Sequence, residues 1–223
     1  MGRSFCLILN LKYKSYWRKS GLKGYWGNVL FDQIKEHCPK NFLEIGVFCG
    51  VTARNVCDLL HSVHGNNFNY VGLDLFGGKK DSKIDEIEPN FLKRQKFSNP
   101  FKNIYYNVIL KENLNSLESV SRLLDKYKGS VELIKGDTNT ELRKIDLSKI
   151  DFAFVDGGHS YKTTLNDLNI LYKNLKNKKK ILLCDDYGEE SCIDDVRRAV
   201  DDFTQINNLK KEIIRDRFVK ITT

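Results

Sequence analysis

The chain has 223 residues, 41% of them hydrophobic, with a formal net charge of +8; this is enough for one sizeable core and excludes a disordered polymer. Lys and Asn are abundant throughout and the positive charge is spread along the chain, so it reads as bulk composition rather than a nucleic-acid stripe. No apolar run approaches membrane-spanning length, and six cysteines (6, 38, 49, 57, 184 and 192) form no C-x-x-C, which favours free thiols over a disulfide scaffold or zinc site.

Residues 1–25 are basic and aromatic: Lys12, Tyr13, Lys14, Tyr16, Trp17, Arg18, Lys19, Lys23 and Tyr25. Two readings compete, a cover over a cleft or a contact for polyanion, and a loosely packed arm whose aromatics anchor on the domain, the second being favoured. No RNP-like or zinc-finger pattern accompanies the charge. Phe5–Leu9 is too short for a signal core, and Cys6 stands where myristoylation needs Ser or Thr; the cytoplasm is the expected compartment. Apolar residues at 26, 29, 30, 31 and 34 predict a helix over Trp26–His37, ended by Pro39. Residues 1–40 therefore read as an N-terminal arm and helix.

Asn41–Val56, NFLEIGVFCGVTARNV, is the organising stretch. The apolar run Phe42–Val47 leads into a turn carrying Gly46 and Gly50, and a helical pattern over Val51–Val63 follows at once. Further strands are predicted at Phe68–Leu75, Ser130–Gly136, Ile150–Val155 and Lys180–Cys184. Such short, nearly continuous apolar runs suit parallel strands covered on both faces. Helical patterns lie at Leu117–Tyr127, Thr140–Ile145, Tyr161–Leu175 and Ser191–Phe203. Lys211–Asp216 and Arg217–Thr222 predict an antiparallel hairpin at the end of the sheet. The alternation argues for an α/β, doubly wound sheet. The connection 76–129, with Gly77, Gly78, Pro89 and Pro100, is too long for an ordinary crossover. It reads as a lid or specificity element, or as a surface insertion of extra helices.

Each strand ends in an acid: Glu44, Asp74, Asp137, Asp156, and Asp185 with Asp186. In open parallel sheets the ligand crevice lies outside the carboxyl ends of the strands. Carboxylates gathered there repel unless hydroxyls, amines, ammonium groups or a metal balance them. Asp74 can accept from both ribose hydroxyls of a nucleoside, and Asp137 from an adenine amino group, although an Asp after a strand is also the usual helix N-cap. Asp156, Asp185 and Asp186 offer hard oxygen ligands suited to Mg2+. Gly46 and Gly50 permit close backbone approach. The spacing E-x-G-x-x-x-G is not the dinucleotide fingerprint, and no G-K-[ST] occurs. A cofactor with a nucleoside but no phosphates fits better.

FLEIGVFCGVTARNV, YVGLDLF, ELIKGDT, IDFAFVDGGHSYKTTLNDL and ILLCDDY resemble the successive motifs of class I S-adenosylmethionine-dependent methyltransferases, in the branch of macrolide and aminocoumarin sugar O-methyltransferases. The resemblance covers roughly residues 40–222, so that 41–223 would be the methyltransferase domain. It implies a Rossmann-like sheet of seven strands, mostly parallel with the last antiparallel. It implies S-adenosyl-L-methionine as cofactor, with Glu44, Gly46 and Gly50 at its methionine end. Asp74 would hold the ribose, Phe76 would lie near the adenine, Asp137 would contact the adenine, and Asp156 would join the pocket. It also implies Mg2+ on Asp156, Asp185 and Asp186. One departure stands out: where those enzymes often read D-G-D and the second Asp is the proposed general base, this chain has Gly158. His159 is the nearest candidate base, imidazole being suited to that task; its alternative role is to shape the turn beside a carboxylate. Asp167 is expected to make a structural polar contact, and His61 and His64 a solvated helix end. A non-catalytic cofactor-binding protein, a hydroxylase-like relative and an RNA methyltransferase are alternatives, the last without a K-D-K-E arrangement or an N-P-P-Y motif. Sugar, phenolic and lipid-linked glycan acceptors all suit the resemblance, as does a homo-oligomer.

Overall fold

The computed structural model describes residues 11–78, 94–175 and 180–223. Part of the long connection, including Pro89, and most of the lysine run before the fifth strand lie outside the described residues. In chain order the elements are α1 (Gly24–His37), β1 (Asn41–Ile45), α2 (Val51–His64), β2 (Asn69–Asp74), α3 (Pro100–Ile104), α4 (Leu117–Leu124), β3 (Val131–Lys135), α5 (Thr138–Glu141), β4 (Phe152–Val155), α6 (Tyr161–Leu175), β5 (Ile181–Cys184), α7 (Asp194–Ile206), β6 (Lys211–Ile214) and β7 (Phe218–Thr222). The strands form one seven-stranded sheet of order β3-β2-β1-β4-β5-β7-β6. β1 to β5 pair in parallel, and β7 runs antiparallel to both β5 and β6.

The uninterrupted burial of β1, β4 and β5 follows from this layering. Alternate residues serve opposite faces. Phe42, Tyr70, Phe152, Phe154, Leu183 and Phe218 pack toward α1, α2 and α4. Leu43, Ile45, Leu73, Ala153, Val155, Leu182 and Val219 pack toward α6 and α7. Phe42 stacks between Tyr70 and Phe152, at 6.1 and 5.2 Å between ring centres.

Because β1 lies between β2 and β4, the strand order turns back on itself there, and the crevice opens at that switch point. Gly50 takes φ 75° as the residue before α2, and α2 stops at Gly65, whose φ of 60° with ψ −133° is open to glycine. The predicted helix at Thr140–Ile145 starts earlier, at Thr138, because Asp137 caps it; it then tightens into a 3-10 turn over Leu142–Lys144. The long connection carries α3, which runs on into a π-helical turn over Tyr105–Ile109.

The arm is built into the fold. Tyr13 is buried, its hydroxyl 2.8 Å from Thr52 Oγ1. Its ring lies so close over Gly27 that a Cβ there would stand 2.1 Å from it. Lys14 and Asn55 exchange two hydrogen bonds of 2.8 Å. Arg18 donates to the Leu114 carbonyl at 3.1 Å, and the Trp17 ring packs on Tyr105 and Tyr106, tying the arm to the long connection. Cys49, Cys57, Cys184 and Cys192 are free thiols. Cys38 is half-buried where α1 ends, its Sγ 3.2 Å from the Lys35 carbonyl oxygen.

Candidate functional site

A cavity of about 450 Å³ opens at the carboxyl ends of β1 to β5. Gly46, Asp74, Asp137, Asp156, His159, Asp185 and Asp186 line it, together with Arg217 and, from the arm, Lys19, Ser20 and Gly21. Glu44, Gly50 and Phe76 are not among the lining residues. Glu44 points to the helical side of β1, where it accepts a 2.5 Å hydrogen bond from the Tyr70 hydroxyl. Burial pushes its carboxyl up to about 8. Phe76 turns into the core and is 2% exposed; its neighbours Leu75, Gly77 and Gly78 face the cavity instead.

The glycine turn is held shut by a carboxylate. Asp74 Oδ2 accepts from the Phe48 N–H at 2.8 Å and Oδ1 from the Phe76 N–H at 2.7 Å. Burial raises the Asp74 carboxyl, and these backbone donors pull against that rise. A phosphate-binding turn would leave such N–H groups for its ligand. Here they serve the protein's own carboxylate, and phosphate would face a rim of acids. Gly46 is required on two counts: its φ is +92°, and a Cβ would stand 1.9 Å from the Asp156 carbonyl oxygen. Three non-glycine residues at the strand ends, Phe48 (φ 53°), Phe76 (φ 45°) and Asp186 (φ 59°), are also left-handed. Strain of this kind collects where a surrounding structure fixes a site.

Asp137 realises its capping role: Oδ1 accepts from both the backbone and side-chain nitrogens of Asn139 at 2.8 Å. Behind this corner Asp167 is fully buried, and burial pushes its carboxyl up to about 7. At the other corner, Asp156 is raised well above the usual carboxylate range, first by burial and then by Asp185, Asp186 and Glu44. His159 Nε2 lies 3.4 Å from Asp186 Oδ2. One donor atom from each of Asp156, His159 and Asp186 falls within 4.8 Å of the others.

Asp185 does not join that group. Arg217 Nε donates to its Oδ1 and Nη2 to its Oδ2, both at 2.7 Å. The three-aspartate ligand set is therefore not assembled in this geometry. Sequence reading missed Arg217 because it precedes β7 in an unremarkable R-D-R-F turn. The signal that could have found it was charge balance, since so many acids at one edge require a cation.

Residues 43–187 match the family model described as a methyltransferase domain. Among solved structures, the calicheamicin methyltransferase CalS11 is similar, at 18% identity over 88% of this chain and 76% of its own, with a TM-score of 0.57. The O-methyltransferase NovP is 19% identical over 88% and 76%, with a TM-score of 0.56. The SAH-bound Podospora anserina methyltransferase PaMTH1 is 17% identical over 90% and 78%, with a TM-score of 0.55. At these identities the likeness is one of fold. No curated protein matches the chain.

Proposed function

The chain belongs to the methyltransferase-domain family, and on that footing we propose that it transfers the methyl group of S-adenosylmethionine to a hydroxyl oxygen of a small molecule or sugar. The observation that carries this reading is the rim of five aspartates around a cavity at the switch point, with the turn's N–H groups already used by Asp74. Such a rim disfavours a phosphate-bearing cofactor. It suits one that carries a positive sulfonium, an ammonium group and ribose hydroxyls. The donor set therefore fits S-adenosylmethionine.

When bound, that cofactor supplies a methyl carbon already activated by the sulfonium charge, leaving alignment and proton removal to the protein. Asp74 would hold the ribose: its oxygens take backbone N–H groups, those of Phe48 and Phe76 among them, and a carboxylate has further lone pairs for a hydroxyl. Gly46 would let the backbone come close at the methionine end, and Asp137 with Thr138 and Leu75 would flank the adenine. His159 would take the acceptor proton. Its Nε2 lies 3.4 Å from Asp186 Oδ2, so Asp186 would steady the resulting imidazolium. A fixed approach of the acceptor oxygen would supply much of the acceleration.

A Mg2+ ion on Asp156, Asp185 and Asp186 does not fit this arrangement. Each oxygen of Asp185 accepts from Arg217 at 2.7 Å, so an ion there would share the carboxylate with a guanidinium, and the donor atoms that do converge mix an imidazole nitrogen with two carboxylates, whereas Mg2+ favours oxygen ligands.

Calorimetric titration with S-adenosylmethionine and with S-adenosylhomocysteine tests the reading. Both should bind the wild-type chain, and Asp74→Ala should weaken each by at least about 100-fold, as the loss of charge-assisted hydrogen bonds implies. A wild-type chain that binds neither sinks the proposal.

A further inference from the structure

The acid rim carries a cation of its own. Arg217 reaches Asp185 from the antiparallel side of the sheet in a two-pronged geometry, the arrangement in which arginine binds carboxylate most strongly. The pair is held from all sides. The Arg217 guanidinium carbon lies 5.5 Å from the Trp26 ring centre and 5.6 Å from that of Phe218. The Asp185 side chain is 2% exposed and that of Arg217 11%. The Asp186 N–H also donates to Asp185 Oδ1, at 2.9 Å. A guanidinium cannot be neutralised within the range a protein meets, so this positive charge is permanent.

We infer that Arg217 is the resident counter-cation of the site, filling the electrostatic role that a divalent ion would otherwise take, and that Asp185 positions Arg217 instead of ligating metal. The inference rests on the methyl-transfer reading of the same cavity. It follows from geometry and charge together. A divalent ion at Asp156, His159 and Asp186 would have to sit beside a fixed positive charge that it could not displace without breaking a buried ion pair. Arg217 also lines the cavity. It gives two N–H groups to Asp185 out of the five a guanidinium carries, so an oxygen-rich acceptor placed there would meet further donors. A fork of this kind orients vicinal oxygens, as a metal would, and also stabilises negative charge developing on the acceptor oxygen.

The test is a titration of Mn2+, read by its electron paramagnetic resonance signal, into wild-type protein stripped with EDTA and saturated with S-adenosylhomocysteine. The wild type should bind Mn2+ no more tightly than about 1 mM. Arg217→Gln, which removes both guanidinium donors from Asp185, should bind it at least about tenfold more tightly. Micromolar Mn2+ binding by the wild type overturns the inference, and so does a folded Arg217→Gln that gains nothing. If Arg217→Gln does not fold, the wild-type titration decides alone, a micromolar site overturning the inference and its absence supporting it. Calorimetry with S-adenosylhomocysteine on the same metal-free sample separates the two readings. Absence of that binding removes the methyl-transfer reading, whereas a Mn2+ site beside intact binding removes only the role of Arg217.

Discussion

Gly46 decides whether the first strand can meet the fourth. Its φ of +92° lies in a region that L side chains rarely adopt, and a methyl group there would collide with the Asp156 carbonyl. Neither relief is available nearby, because Asp156 N–H donates to the Ile45 carbonyl and Gly46 N–H to that of Leu73. Gly46→Ala should therefore cost about 2 kcal/mol or more and move Asp156 out of the cavity. Thermal unfolding should show the loss, and S-adenosylhomocysteine affinity should fall with it. An alanine variant with wild-type melting and affinity would show that this turn is not fixed as described. Gly50 is different in kind: its left-handed turn starts α2, and a Cβ there meets side-chain tips, Val120 at 2.9 Å and Leu123 at 3.2 Å, rather than backbone. Sequence spacing treated the two glycines alike, since it reports which positions must lack a side chain but not what each one faces.

At the scale of elements, the sheet was legible because its strands are local apolar runs, and the acids at their ends were legible because each follows its strand directly. The arm was not, because its partners are far along the chain. Over the described residues 11–25 the arm is not loosely packed: Tyr13 and Leu22 are buried in the core, while Lys19, Ser20 and Gly21 wall the cavity. Anchor and wall are six residues apart, so the packing of Tyr13 sets where the wall stands. Tyr13→Ala should cost about 3 kcal/mol through loss of a buried aromatic and should also weaken S-adenosylhomocysteine binding. Tyr13→Phe removes only the hydroxyl contacts, with Thr52 and Ser20, and should cost about 1 kcal/mol. Chemical denaturation with and without ligand checks both. If Tyr13→Ala lowers stability yet leaves affinity untouched, the arm is an anchor alone. Arg217 escaped the sequence for the same reason, its partner Asp185 lying 32 positions away with no pattern linking them.

Among the described residues, buried acids (Glu44, Asp137, Asp167 and Asp185) outnumber buried cations (Arg217 and Lys220), even though the chain as a whole is basic. Glu44 is the sharpest case, 1% exposed and raised from the ordinary 4.5 to about 8 by burial, with the Tyr70 hydroxyl pulling against that rise and Asp74 adding to it. A carboxyl raised on folding is protonated in the native state while it is already ionised in the unfolded one. The native state then binds more protons between about pH 4.5 and pH 8, so stability falls as pH rises through that window and levels off above it. The loss is on the order of a few kcal/mol. Net charge acts in the opposite direction, because a basic chain repels itself less as pH rises, so wild-type melting curves alone would mix the two. Glu44→Gln separates them. Glutamine does not titrate, and its carbonyl can still accept from Tyr70, while its amide stands where Glu44 Oε1 has no partner, a cost that does not vary with pH. The informative quantity is the difference in unfolding free energy between the two proteins at each pH, not its size at any one. It should shift in favour of Glu44→Gln from pH 5 to pH 8 and stay constant beyond. A difference that is flat across the window, or that shifts toward the wild type, would mean that Glu44 is ionised in the folded protein and that its charge is met inside the cavity wall.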